Sequence, residues 1–208
     1  MMDSSCSSQA QASSDNLLEF FFLCGKLKET KRKGWIDHHV RQPESVSDHM
    51  YRMALICFCL APSHLNREKL IKLALVHDLG ESLVGDITPH DGVSPEEKKK
   101  LETEAFCKIR DEYLSSCAVG HELYDLWNEY ENSLSNEAIF VKEVDKLEML
   151  IQAFEYERDQ GKNLGDFFHT CTGSIRDANL VKVLASLLSR RQRDGCEEEE
   201  KQQCGRPE

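Results

Sequence analysis

The stretch that decides the fold is Leu70-Ile71-Lys72-Leu73-Ala74-Leu75-Val76-His77-Asp78-Leu79-Gly80-Glu81. Its apolar side chains recur at helical spacing, and Gly80 is a typical residue at which a helix ends. His77 falls on the apolar face of this helix, and Asp78 borders that face. An imidazole and a carboxylate buried there cost free energy unless something pairs with them. A metal ion is one such partner. The alternative is a His-Asp pair that occurs by chance in a core.

A second histidine, His49, occupies a comparable position upstream. Ser45 followed three residues later by Asp48 predicts a capping box that opens a helix ending near Leu60. His49 then lies in the first turn of that helix. A lone histidine there is more often a core residue, so its value as a ligand depends on the pairing with the His-Asp stretch.

An aspartate, Asp145, lies on an otherwise largely apolar stripe of a long helix predicted from after Ser135 to about Gln160. A carboxylate on such a stripe needs a partner. The group that offers one comprises His49, His77 and Asp78. Two imidazoles and two carboxylates suit a borderline or hard divalent ion and leave positions open for water and substrate.

Glu81 follows His77 by four residues and Asp78 by three, so one further helical turn would bring all three together. A divalent ion beside them serves phosphate-ester hydrolysis, and Glu81 is the carboxylate best placed by sequence to relay protons. The rival role for Glu81, together with Asp86, is to bind a second ion. The sequence leaves both roles open.

The bulk properties limit the possible functions. The chain has 208 residues, which suits one domain, and its net charge of −11 disfavours a nucleic-acid polymer as a partner. The nine cysteines include no CxxC pair, which predicts a reducing compartment, the cytosol or nucleus. The longest apolar run, around residues 17–24, is too short to span a bilayer, so we expect no membrane partner.

The predicted organisation is all-α, because the sequence shows no strand pattern and no glycine-rich phosphate loop. Residues 1–14, rich in Ser, Gln and Ala, predict a disordered tail, and residues 191–208 predict a disordered acidic tail. The helical domain is expected between them, over residues 15–190. Helix starts are predicted at Asn66, Ser94 and Ser135.

The order His49, His77-Asp78, Asp145 resembles that of the HD-domain metal-dependent phosphohydrolases, and the chain is most similar to their 5′-deoxynucleotidase branch. The matching stretches lie at residues 33–35, 40–41, 44–49, 75–81, 85–87 and 143–147. The resemblance implies a single HD-domain helical bundle, a homodimer, and hydrolysis of deoxynucleoside 5′-monophosphates to deoxynucleoside and phosphate. It also implies dependence on Mn²⁺, Co²⁺ or Mg²⁺.

Carried over by position, the resemblance makes His49, His77, Asp78 and Asp145 the metal ligands. Glu81 becomes a catalytic residue or a ligand of a second ion. Asp86 would lie beside the sugar or that second ion, together with the carbonyl of Ile87. The alternatives to the enzyme are a non-catalytic nucleotide-sensing or scaffold module and an HD phosphodiesterase acting on another nucleotide.

The residues predicted to contact the substrate include a basic turn that ends in Trp35. The resemblance makes Trp35 flank the nucleotide, whereas the residues alone equally allow it to anchor the loop to the core. Bacterial members carry Arg where this chain has Gly34, and Lys33 or Arg32 is the candidate replacement. Arg41 could bind phosphate through its planar guanidinium or form a structural ion pair.

Overall fold

The computed structural model describes residues 4–88, 91–115 and 117–204. The helices are α1 (Ser4–Lys26), α2 (Lys33–Asp37), α3 (Val46–Leu60), α4 (Arg67–Val76), α5 (Glu81–Val84), α6 (Pro95–Lys108), α7 (Val119–Glu131), α8 (Asn136–Gln160), α9 (Gly165–Cys171) and α10 (Ala178–Cys204). A π-helical turn, Ile109–Tyr113, follows α6, and a 3₁₀ turn, Thr172–Ser174, follows α9. Within the described residues the only β pairing is an isolated bridge, so the all-α prediction is confirmed.

The predicted helix starts are formed by side-chain caps. The Ser45 hydroxyl accepts the Asp48 N–H at 3.1 Å, and the Asp48 carboxylate accepts the Ser45 N–H at 2.8 Å, which is the expected capping box. Equivalent caps open α4, α6 and α8 at Asn66, Ser94 and Ser135. Gly161 ends α8 with φ +60°, a left-handed conformation that glycine adopts without strain. These short-range patterns therefore fix the helix bounds around the core.

Helix α8 lies at the centre of the bundle, in contact with α3, α4, α7, α9 and α10. Helices α3 and α4 also pack against each other. On these helices Met53, Leu70 and Leu73 are fully buried, and burying each such side chain stabilises the fold by about 1.5–3 kcal/mol. The elements that carry the predicted ligands are thus fixed against one another by apolar packing.

The turn between α4 and α5 differs from the sequence prediction. Helix α4 ends at Val76, and His77 and Asp78 lie in the turn before Glu81 starts α5. Gly80 keeps a right-handed φ of −59°, so it is no left-handed cap. A Cβ atom there would lie 3.0 Å from the ring of Phe106, so the glycine permits the close approach of α6.

The two ends of the chain form longer helices than expected. Helix α1 begins at Ser4 rather than near residue 15, and α10 extends to Cys204 rather than ending near residue 190. Glu and Lys are good helix formers, which favours the continuation of α10 through its Glu-rich segment. Residues 1–3 and 205–208 of the expected tails lie outside the described residues, and the domain boundaries stay a prediction. No helix in the described part is long and apolar enough to cross a bilayer.

Candidate active site

The four predicted ligands come together from three elements. Helix α3 supplies His49, the turn after α4 supplies His77 and Asp78, and α8 supplies Asp145. His49 Nε2 lies 3.3 Å from Asp145 Oδ1 and 4.0 Å from Asp78 Oδ2. His77 Nε2 lies 3.1 Å from the same Asp78 oxygen. The structure therefore joins residues almost a hundred positions apart in one cluster.

The two imidazoles are oriented by their outer nitrogens. His77 Nδ1 lies 3.0 Å from the Ala74 carbonyl oxygen, which can only accept, so this nitrogen carries a proton. His49 Nδ1 contacts the carboxylate of Glu148. Both Nε2 atoms are buried and make no hydrogen bond in the described structure. Two such nitrogens facing two carboxylates are a donor set that a divalent cation satisfies.

The electrostatics of the cluster favour a bound positive charge. Burial and the Arg32 charge lower the pKa of His49, but the carboxylates of Glu148 and Asp145 outweigh them and raise it to about 10. Burial raises the pKa of Asp78, but His77, Arg32 and His49 bring it down to about 2. A proton or a metal ion between the imidazoles and carboxylates of this cluster is therefore stabilised by carboxylates that stay ionised. His49, His77 and Asp145 each offer a ligand atom within 4.8 Å of the others.

Glu81 occupies the first position of α5 beside this cluster. It is only 5 % exposed, and its Oε2 atom has no hydrogen-bond partner in the described structure. Burial, and then the charges of Asp78 and Asp86, hold the pKa of Glu81 well above its ordinary value. A buried carboxyl that keeps its proton at higher pH can donate that proton to a reacting group. Both roles of Glu81, proton relay and ligand of a second ion, stay predictions.

A cavity of about 390 Å³ opens over the cluster. Its wall includes Asp78, Glu81, Asp86 and Asp145, with Arg32 and Lys98 among the basic residues. Arg32 comes from the turn before α2, and its guanidinium lies 3.4 Å from Asp78 and 3.9 Å from Asp145. Arg32 and Lys33 are the candidates to replace the Arg that bacterial members carry at the position of Gly34. Of these two, Arg32 lines the cavity.

Two predicted substrate residues lie elsewhere. Trp35 is 2 % exposed, packs against Tyr156 and Phe167, and donates its Nε1–H to Glu44 at 2.8 Å. It is not among the residues that line the cavity, and its contacts fit a loop anchor, whereas the nucleotide-flanking role stays a prediction. Arg41 also lies outside the cavity wall, and its backbone pairs with the Gln160 side chain.

Of three further predicted residues, Asp86 lines the cavity, and Lys33 and Ile87 each contact a residue of its wall. The Lys33 backbone N–H donates to Asp86 at 2.7 Å, whereas its ammonium pairs with Asp37 and Asp91. The Ile87 carbonyl accepts a hydrogen bond from Lys98 at 2.9 Å. Asp86 thus faces the cavity, and the Lys33 side chain and the Ile87 carbonyl are engaged by protein partners.

Sequence reasoning missed two buried residues that touch the ligands. Glu148 follows Asp145 by three residues on α8, and this spacing is a signal that places both on one face. Tyr130 donates its hydroxyl to Asp145 at 3.0 Å, and its ring lies 4.9 Å from that of His77. Tyr130 belongs to α7, so no local pattern links it to the cluster.

Comparison with known proteins gives consistent matches. The family model described as "HD domain" matches residues 24–183. A protein of Dictyostelium discoideum named 5′-deoxynucleotidase HDDC2 is 49 % identical over 186 residues, which cover 83 % of this chain and 96 % of that protein. The Homo sapiens protein of the same name is 43 % identical over 178 residues, covering 85 % and 86 %. A solved structure of a conserved hypothetical protein from Pyrococcus furiosus superposes with a TM-score of 0.69 at 32 % identity, covering 83 % of this chain and 99 % of that one.

Proposed function

The chain belongs to the HD-domain family, and from this premise we propose that it is a metal-dependent 5′-deoxynucleotidase, a phosphoric monoester hydrolase that converts deoxynucleoside 5′-monophosphates to deoxynucleoside and phosphate. Relatives 43 % and 49 % identical over most of the chain carry this activity in their names. The ligand cluster at the base of an open cavity supports the same reaction.

One observation carries the proposal. Three buried polar atoms in the described structure have no hydrogen-bond partner: His49 Nε2, His77 Nε2 and Glu81 Oε2. His77 and Glu81 line a cavity that also contains the Arg32 guanidinium, and His49 Nε2 lies behind that wall, 3.3 Å from Asp145. Buried polar atoms normally find partners, so unpaired ones that converge indicate a ligand site. The two nitrogens account for an ion, the guanidinium for a phosphate, and the carboxyl for a proton transfer.

The residues then divide into three roles. His49, His77, Asp78 and Asp145 would hold the ion, which supplies Lewis-acid stabilisation of phosphate charge and activation of a water molecule. Arg32 binds the phosphate through the charged N–H donors of its guanidinium. Glu81 holds the proton that the departing 5′-oxygen of the nucleoside requires. Asp86 also lines the cavity, and we assign it to the contact with the sugar.

The ion we propose is Mn²⁺, Co²⁺ or Mg²⁺. A set of two imidazoles and two carboxylates contains no thiolate, which argues against a closed structural zinc site. Mixed nitrogen and oxygen ligands suit borderline ions of the first transition row, and the carboxylates also accept Mg²⁺. Metal analysis of the purified protein decides among them.

We also propose a homodimer. Helix α3 exposes Tyr51, Leu55 and Phe58 at 64 %, 45 % and 57 %, and their spacing of four and three residues places them on one face. Exposed apolar stripes of this kind mark interaction surfaces. Light scattering on the full chain tests this proposal, and Leu55→Glu should shift the mass towards that of one chain.

The reducing cytosol or nucleus remains our proposal for the compartment.

The function is tested by phosphate release from dAMP, dGMP, dCMP and dTMP, and from their ribonucleotide counterparts, with each ion added to the metal-stripped full chain. We expect release from the deoxynucleotides and its loss in His77→Ala by at least about 100-fold. Tight nucleotide binding without turnover would instead indicate a sensing module. Turnover confined to another class of nucleotide would indicate a different HD phosphohydrolase.

A further inference from the structure

Helices α3 and α8 carry matching pairs of polar residues on the faces where they meet. His49 and Arg52 are three residues apart on α3, and Asp145 and Glu148 are three apart on α8. Residues with this spacing lie on one side of a helix. Because the two helices pack together, the His49 ring lies between both carboxylates, with Nε2 towards Asp145 and Nδ1 towards Glu148.

Glu148 is fully buried, at 0 % exposure. Its carboxylate has two protein partners, the His49 Nδ1 atom and the Arg52 Nε–H, which donates at 2.7 Å. A buried carboxylate is costly unless it is paired and hydrogen-bonded. Glu148 does not line the cavity, so substrate does not reach it.

Arg52 is itself held from the same face of α8. Its Nη2 donates to Gln152 at 2.5 Å, and its Nη1 donates to Glu155 at 2.8 Å. The guanidinium therefore spans two turns of α8, and its rigid fork leaves the Glu148 carboxylate little freedom to turn away. The chain of contacts runs without a break from the half-exposed Glu155 to Nδ1 of His49, the ring nitrogen opposite the one that would bind the ion.

We propose that Glu148, held by Arg52, is the positioning residue that keeps a proton on Nδ1 of His49 and directs Nε2 at the ion. This rests on the proposed function, since it assigns a partner to one of the proposed metal ligands. The other imidazole, His77, is oriented by a neutral carbonyl, whereas His49 is oriented by an anion. An anionic partner makes the coordinating nitrogen a stronger donor, and removing such a partner typically weakens metal binding about 10–100-fold.

The test is calorimetric titration of Mn²⁺ into metal-stripped full chain. We expect Glu148→Gln to raise the Kd for Mn²⁺ by about 10–100-fold. The matched control is Glu157→Gln, which removes another α8 carboxylate paired with an arginine, Arg191, but far from the cluster. Its Kd for Mn²⁺ should equal that of the wild type. Arg52→Met provides a second variant that keeps the carboxylate but releases it, and should weaken Mn²⁺ binding in the same direction.

Thermal unfolding of the metal-stripped variants separates positioning from support of the fold. If Glu148→Gln and Arg52→Met lower the Tm but bind Mn²⁺ as the wild type does, the positioning role is wrong. If the wild type itself binds no divalent ion, the proposed function fails as well. Weakened binding in both variants, with wild-type affinity in the control, supports the inference.

Discussion

The guanidinium of Arg32 lies 3.4 Å from the carboxylate of Asp78, although 46 positions separate them in the chain. Burial opposes the positive charge of Arg32, but Asp78 and Asp145 outweigh it and raise the arginine pKa above its ordinary value. Arg32 therefore stays charged at the ion site. We therefore expect a phosphate that enters the cavity to contact this arginine as well as the proposed ion.

Arg32→Ala should separate substrate binding from metal binding. Removing a guanidinium that binds phosphate should raise KM for dAMP by about 10–100-fold, as expected for the loss of a charged hydrogen bond worth roughly 1.5–3 kcal/mol. The Kd for Mn²⁺ should stay equal or fall, because a positive charge beside the carboxylates has been removed. Steady-state kinetics and Mn²⁺ calorimetry measure the two effects. An unchanged KM would exclude Arg32 from phosphate binding.

Glu81→Gln should lower kcat with the ion still bound. We expect a loss of about 10²–10⁴-fold, because the amide cannot supply a proton to the leaving oxygen. The pKa of Glu81 is raised, so its acid form persists to higher pH, and wild-type kcat should fall as pH rises through that pKa. The kcat–pH profile checks this. A variant that kept that alkaline limb unchanged would contradict the proton role, and loss of bound metal would favour the second-ion role.

Trp35→Phe should affect stability rather than substrate affinity. The change leaves a gap beside Tyr156 and removes the hydrogen bond to Glu44, so the free energy of unfolding should fall by about 1–3 kcal/mol. KM for dAMP should stay within about twofold of the wild type. Urea unfolding and kinetics on the same preparation provide both values. A raised KM with normal stability would restore the nucleotide-flanking role.

Glu44→Gln should remove a pH dependence of stability. Burial, and then the charge of Glu148, raise the pKa of Glu44 to about 7. Because the folded-state pKa lies above the unfolded-state pKa, the protonated Glu44 carboxyl stabilises the folded protein fully below the unfolded-state pKa. This stabilisation is lost as pH rises through 7. Between pH 4.5 and 7.5 the wild type should lose on the order of 2 kcal/mol relative to the variant, measured by urea unfolding at each pH. Parallel stability curves for the two proteins would show that Glu44 does not titrate as described.

Ser45→Ala should destabilise the first turn of α3. Ser45 is buried and its hydroxyl accepts the Asp48 N–H, so the free energy of unfolding should fall by about 1 kcal/mol. Because His49 follows in the same turn, Mn²⁺ affinity should fall slightly as well. Ser94→Ala, an equivalent cap on α6, which carries none of the four proposed ligands, is the control and should lower stability without changing Mn²⁺ affinity.

Sequence reasoning succeeded where the relevant interactions are local. The Ser45 capping box and the caps at Asn66 and Ser135 involve residues within one turn, so they can be identified from the chain itself. It was less accurate where packing between distant parts of the chain determines the role of a residue. Gly80 serves the approach of Phe106 from another helix, and no pattern around position 80 contains that information.

The sequence by itself determined where the main helices begin and placed several polar side chains on or beside apolar faces, because both depend on spacings of three or four residues. It therefore identified His49, His77, Asp78 and Asp145 as residues in need of a common partner. The tertiary structure alone decided that Arg32 reaches the cavity, that Trp35 turns into the core and that Glu148 supports His49. These contacts join residues far apart in the chain, and only the packing of α3, α4 and α8 sets the distance between them.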